Sequence, residues 1–197
     1  MTYRQSNCCK YRYFDLEKPY ECIRAVYDDG HCILHAEVEN KSRQDFVNEL
    51  TALVDDSHKR NEPLELVGIR FQRENDFFVG REFKVPVHFA GVAFRDVVTF
   101  RSCTFQRTCT FSDTIFVKGA QFVECKFKSN LKFESDTVNG DRLVIRDVNI
   151  ASDLKFSNCH LNTAVHLNKI GVHKDTLFLD CNFDSGLVVE GSSVPST

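Results

Sequence analysis

Phenylalanine recurs along this chain at a spacing too regular for an ordinary globular core. From position 83 it stands at Phe83, Phe89, Phe94, Phe100, Phe105, Phe111, Phe116, Phe122, Phe127 and Phe133, with steps that alternate six and five. Other apolar residues carry the series on through Val138, Ile145, Ile150, Phe156, Leu161, Leu167, Val172, Phe178, Phe183 and Val189. One step departs from the alternation. Val138 to Ile145 spans seven residues and contains Asn139-Gly140-Asp141. Asn-Gly tolerates positive φ, so a one-residue bulge or tight turn fits there. The chain holds 18 Phe, one Met and no Trp, a bias that belongs to a repeated core position.

Two residues before each member of the series stands a smaller residue, nearly always apolar. These are Val87, Val92, Val98, Cys103, Cys109, Thr114, Ala120, Cys125 and Leu131, then Leu143, Val148, Leu154, Cys159, Val165, Ile170, Thr176, Cys181 and Leu187. Two apolar positions flanking one polar residue form a strand with period two. Each such strand is too short to be stable alone, so successive coils must stack to bury these faces.

A large central residue, a small one two places earlier and a spacing near five resemble the pentapeptide-repeat family. The segment FRSCTFQRTCTFSDTIFVKGAQF looks like a Phe-rich five/six variant of it. The resemblance covers roughly residues 66–190 and implies an all-β fold, a right-handed quadrilateral parallel β-helix. Four faces of 6, 5, 6 and 5 residues make coils of 22, and the twenty faces from Phe83 to Val189 make about five coils. At a strand spacing of ~4.8 Å, that shaft is about 24 Å long. Cys103, Cys109, Cys125, Cys159 and Cys181 take the small inward position, where packed, reduced thiols acting as small hydrophobes are expected. The pairs Cys103/Cys125 and Cys159/Cys181 stack on adjacent coils.

Ahead of the shaft, residues 41–62 read as a capping α-helix. Phe46, Leu50, Leu53 and Val54 make an apolar stripe, and Ser42 followed by Asp45 resembles a capping-box start. The stripe is expected to cover the open edge of the first coil. Leu64, Leu66, Ile69, Phe71, Phe77 and Phe78 then lead into the shaft (63–197) in a less regular coil. Residues 1–40 are too short and polar for a core of their own. They contain Cys8, Cys9, Cys22, Cys32 and His35, and Asp28-Asp29-Gly30 reads as a turn before Cys32. The two-residue gap in Cys32-Ile33-Leu34-His35 lets one turn present two ligands to one metal. Cys9, Cys22, Cys32 and His35 would satisfy a structural Cys₃His zinc site, which would supply folding energy this segment lacks. Cys8 can replace Cys9, and His31 is a substitute ligand; the competing reading is a loosely ordered arm with free surface thiols. The stretch HCILHAEVENKSRQDFVNEL also resembles a short zinc-binding-like module that precedes some pentapeptide repeats with a CIFH-type element.

Net charge is −3, divided as −4 over residues 1–65 and +1 over 66–197. This favours neither nucleic acid nor an anionic membrane. No apolar run approaches a membrane span and the polar start of the chain does not read as a signal peptide, so a cytoplasmic protein with reduced thiols is expected. Nucleophile elbow, phosphate loop, HExxH and dinucleotide motifs are all missing. His88, His160, His166 and His173 are placed outward by the repeat. An enzyme is therefore not expected. A modestly basic strip is formed by Lys84, Arg107, Lys126, Lys128 and Lys174 on one face, with Lys132 and Lys155 on the next. A solvated surface is its ordinary role, and an anionic partner the alternative. The expected function is a non-enzymatic scaffold with an unidentified protein partner. Topoisomerase-directed DNA mimicry, a role the resemblance implies for some relatives, calls for a strongly acidic shaft and is disfavoured; so is direct nucleic-acid binding. No amphipathic helix is left to cover the last coil. Pro195 blunts that edge a little, and a homodimer through it, or a continuing chain, is expected.

Overall fold

The computed structural model describes residues 8–14, 19–37, 41–71 and 76–193. Within them the chain winds into a parallel β-solenoid with four sheets, two of six strands and two of five. The first face begins at Leu64–Val67 and continues through Val87–Ala90, Cys109–Ser112, Leu131–Glu134, Leu154–Ser157 and Thr176–Leu179. The second holds the two-residue strands from Arg70–Phe71 to Asn182–Phe183. The third runs from Val98–Arg101 to Leu187–Glu190, and the fourth from Glu82–Phe83 to Gly171–Val172.

The expected register is present residue for residue. Phe111 pairs with Phe89 below and Phe133 above, and Phe122 with Phe100 and Ile145. The five coils counted from Phe83 to Val189 are there. Before them lies the less regular coil: Leu66, Phe71 and Phe78 supply its first three faces, Val79 bridges Arg101, and Phe83 closes it. The shaft thus has about six turns.

The repeat period gives the core its geometry. Parallel strands lie about 4.8 Å apart, and aromatic rings favour offset stacking near that distance. Along the first face, consecutive rings from Phe89 through Phe111, Phe133 and Phe156 to Phe178 are separated by 4.5, 5.1, 4.5 and 5.0 Å, tilted 14° or less. Phe83, Phe105 and Phe127 stack at 4.8 Å on the fourth face, and Phe100 lies 4.7 Å from Phe122 on the third. Across the shaft the columns meet edge to face, as in the 5.7 Å contact of Phe111 with Phe122 at 80°.

The alternation of five and six has a backbone cause. Each five-residue corner places the residue two past the central one in the left-handed region. Ser102, Asp113, Glu124, Ser135, Asp147, Asn158, Lys169 and Asp180 all have φ between 50° and 58°. The six-residue corners use an extra residue instead. In the seven-residue step Gly140 takes φ 84°, and the register resumes at Leu143 opposite Ala120. The added residue is absorbed in the corner.

Helix α1, Arg43–Arg60, is capped by Ser42, whose Oγ accepts from Asp45 N, and it ends at Asn61 in the left-handed conformation. It buries Phe46, Leu50 and Val54. Phe46 meets Phe71 edge to face at 5.5 Å, so the helix covers the first coil as its stripe required. Nothing among the described residues covers the other end. Leu179, Leu187, Val188 and Val189 are exposed there. Pro195 lies outside the described residues. No described helix is long and apolar enough to cross a membrane.

Replacing a stacked ring removes both burial and a neighbour on each side. Phe111→Ala should lower the unfolding free energy by about 3–5 kcal/mol in chemical denaturation. Phe14→Ala, at a ring 70% exposed, should change it by less than about 0.5 kcal/mol.

Candidate metal centre

The segment before α1 is a small antiparallel hairpin and two turns laid against the side of the first coils. Strands β1, Arg12–Tyr13, and β2, Tyr20–Glu21, pair Arg12 with Glu21 and Tyr13 with Tyr20. Cys9 lies just before β1, and Cys22 follows β2. Asp28 and His31 close the turn at Asp29-Gly30. A second turn, with His35 N and Ala36 N both donating to Cys32 O, brings Cys32 and His35 to the same side.

These turns assemble the four residues singled out from their spacing. One ligand atom from each of Cys9, Cys22, Cys32 and His35 lies within 4.8 Å of every other, and all four residues are buried. Cys9 Sγ is 3.4 Å and Cys32 Sγ 3.2 Å from His35 Nδ1, and Cys22 Sγ is 3.7 Å from Cys32 Sγ. Zinc bonds of about 2.3 Å to sulfur and 2.0–2.1 Å to nitrogen, at tetrahedral angles, require S···S near 3.8 Å and S···N near 3.5 Å. The Cys9–His35, Cys32–His35 and Cys22–Cys32 distances lie within a few tenths of an ångström of those values. His35 also carries the outer contact that metal-binding histidines need. Its Nε2 lies 2.8 Å from Val67 O on the first face, so Nε2 holds the proton and Nδ1 is left to face the thiols. Tyr11 N donates to Cys9 Sγ at 3.5 Å, and the Tyr11 ring stacks on His35 at 4.1 Å.

The electrostatics favour a thiolate inside the cluster. The hydrogen bond from Cys32 is the main reason the Cys22 thiol is lowered to about 3, with burial opposing and His35 assisting. The same bond pushes Cys32 upward, reinforced by burial. Cys8, the alternative to Cys9, is exposed and pairs with Ala25 in an isolated bridge. His31 sits in the Asp28 turn, outside the cluster.

The other candidates lie elsewhere. Lys84, Arg107, Lys126, Lys128 and Lys174 are exposed on or just after strands of the fourth face. Lys132 and Lys155 are half-buried register partners on the first. None of the seven is in an ion pair among the described residues; the backbone N–H of Lys84 donates to His58 Nε2 at 3.2 Å. Cys103, Cys109, Cys125 and Cys159 are free and buried inside the shaft; Cys181 is free and half-buried.

With this geometry in hand, comparison with known proteins bears on the shaft alone. A model for pentapeptide repeats (nine copies) matches residues 78–126. Residues 78–126 thus match pentapeptide repeats. The matched stretch spans the first coils, and the same register continues unbroken to Glu190. No curated protein and no solved structure gives a match.

One buried polar residue of the shaft interrupts the apolar inward series. Asp136 stands two before Val138, where neighbouring coils hold Thr114 and Cys159, and it is completely buried. Its Oδ1 accepts from Thr114 N at 2.6 Å and Oδ2 from Glu134 N at 3.1 Å. Burial raises its carboxyl well above the usual range, and the two N–H donors only partly oppose this. The signal was available, since Asp136 is the gap in the inward series. A carboxyl held more tightly protonated in the folded state contributes stability in full below its unfolded pKa of about 3.9, and loses it as pH rises through the folded value. Asp136→Cys, the residue of the next coil, should therefore flatten the fall in unfolding free energy on going from pH 4 to neutral, read by denaturant titration at each pH.

Proposed function

We propose that residues 8–37 fold around one structural zinc ion held by Cys9, Cys22, Cys32 and His35, and that the chain is a non-enzymatic scaffold presenting its repeat shaft to a protein partner. The observation that carries this is the buried Cys₃His cluster, with its four ligand atoms within 4.8 Å of one another and the fourth ligand oriented by Val67 O. When bound, the metal supplies cross-linking energy to a segment with little core of its own. The chain's own residues do the rest. Cys9 and Cys22 tie the two ends of the hairpin together. Cys32 and His35 tie that hairpin to the turn leading toward α1.

The scaffold part is supported by the pentapeptide repeats. They supply a rigid lattice of outward side chains and bury the thiols of Cys103, Cys109, Cys125 and Cys159 inside. The partner is read as a protein because the near-neutral shaft lacks a strong field for nucleic acid. The uncovered last coil, with Leu187 and Val189 exposed, is the surface on which a second copy would pair.

Purified protein should contain one zinc per chain by elemental analysis, and Cys32→Ser should bring this close to zero. At metal a thousandfold above its Kd, binding contributes about 4 kcal/mol to the folded segment. Chelation should accordingly lower the unfolding midpoint and make Cys9, Cys22 and Cys32 reactive to a thiol reagent, while Cys109 stays shielded. A metal-free protein that keeps these three thiols protected would overturn the zinc reading.

A further inference from the structure

We propose that the corner between the first and second faces of the shaft is a binding track for Tyr11 and Tyr13. Residues 8–14 are then a strap whose seating is thermodynamically linked to the Cys/His cluster. The linkage rests on the zinc reading above; the track stands on separate contacts.

Gly68, Gly91 and Asp113 occupy the same corner position in the first, second and third coils, two residues past Leu66, Phe89 and Phe111. The strap touches all three. A Cβ added to Gly68 would overlap Cζ and Oη of Tyr11, and one added to Gly91 would lie 2.7 Å from Tyr13 Cε2. Tyr13 Oη donates to Asp113 Oδ2 at 2.7 Å. Tyr11 and Tyr13 are two apart, so an extended backbone turns both to one side.

The backbone does not require glycine at this corner. Ser135, Asn158 and Asp180 take it in the later coils with φ of 58°, 54° and 52°, close to the 64° and 59° of Gly68 and Gly91. What distinguishes the two glycine positions is the ring lying on each. The missing side chains are the seats.

The link to the cluster runs through one ring. Tyr11 lies between Gly68 and the His35 imidazole, and His35 donates to Val67 O, one residue before Gly68. Cys9 is two residues from Tyr11. Seating the strap therefore holds Cys9 and His35 in place, and a metal on those ligands holds the strap in its seats. Linkage of this kind is reciprocal.

The chain offers a clean reporter. Its five tyrosines all fall between positions 3 and 27, and it has no tryptophan, so tyrosine emission reads the N-terminal segment alone. In the full-length protein, Gly68→Asn combined with Gly91→Asn keeps a corner residue that Asn158 already uses, but fills both seats. It should leave the far-ultraviolet circular dichroism of the shaft unchanged and alter tyrosine emission. It should also weaken zinc binding at least about tenfold in competition with a chromogenic chelator. Tyr13→Ala empties one seat without touching the shaft or a ligand, and should weaken zinc binding in the same direction. That keeps the test decisive if the glycine variant fails to fold. Unchanged zinc affinity and unchanged emission in the glycine variant would overturn the proposal; for Tyr13→Ala, which itself removes an emitter, unchanged zinc affinity alone would. If the native chain binds no zinc, the zinc reading and the linkage fall together, and emission alone judges the track: a change between native and seat-filled protein keeps it, and none removes it.

Discussion

Every coil of this protein is held by the coil next to it. A two-residue strand cannot persist alone, and the ladder of backbone bonds between equivalent positions is what allows such strands to exist. The same ladder sets the distance between side chains. Rings 22 residues apart are brought to 4.5–5.3 Å on the first, second and third faces, where they stack. Ring stack and backbone ladder therefore impose the same repeat, and a residue gained or lost must be absorbed outside the faces. The extra residue at Asn139-Gly140-Asp141 is taken up in a corner, and the neighbouring strands keep their partners.

That constraint explains what could be read from the chain and what could not. The central positions were legible because each needs a large apolar side chain, and Phe supplies it ten times running. The corners were not. Glu124 and Lys169 adopt φ of 56° and 50° although neither residue type favours that region. Stacking on the coils above and below imposes a conformation that local preference would refuse. The first coil was only half legible, since its third face is the turn around Phe78 rather than a strand. Asp136 was passed over because the inward series is otherwise so consistently apolar, and an acid there is tolerated through two backbone donors that no spacing reveals.

The N-terminal segment follows a different logic. Four ligands 3, 10 and 13 residues apart were enough to nominate a metal site. Choosing Cys9 over Cys8 needed the folded backbone, in which Cys8 bridges Ala25. Cys9 faces His35, and Cys8 faces out. The contacts that fasten this segment to the shaft involve the absence of side chains at Gly68 and Gly91, and an absence carries no pattern until the rings above it are seen. The segment thus borrows its order twice, from the thiol cluster and from the corner it lies on. A solenoid covered by α1 at one end gains in it a second element on its flank.

The coordination proposed for Cys9, Cys22, Cys32 and His35 is the point on which this picture turns. X-ray absorption at the zinc edge of the zinc-loaded protein should show three sulfur neighbours at about 2.3 Å and one nitrogen at about 2.0 Å, with multiple scattering from an imidazole. A shell of oxygen and nitrogen alone, or one of four sulfurs, would contradict the assignment of Cys9, Cys22, Cys32 and His35.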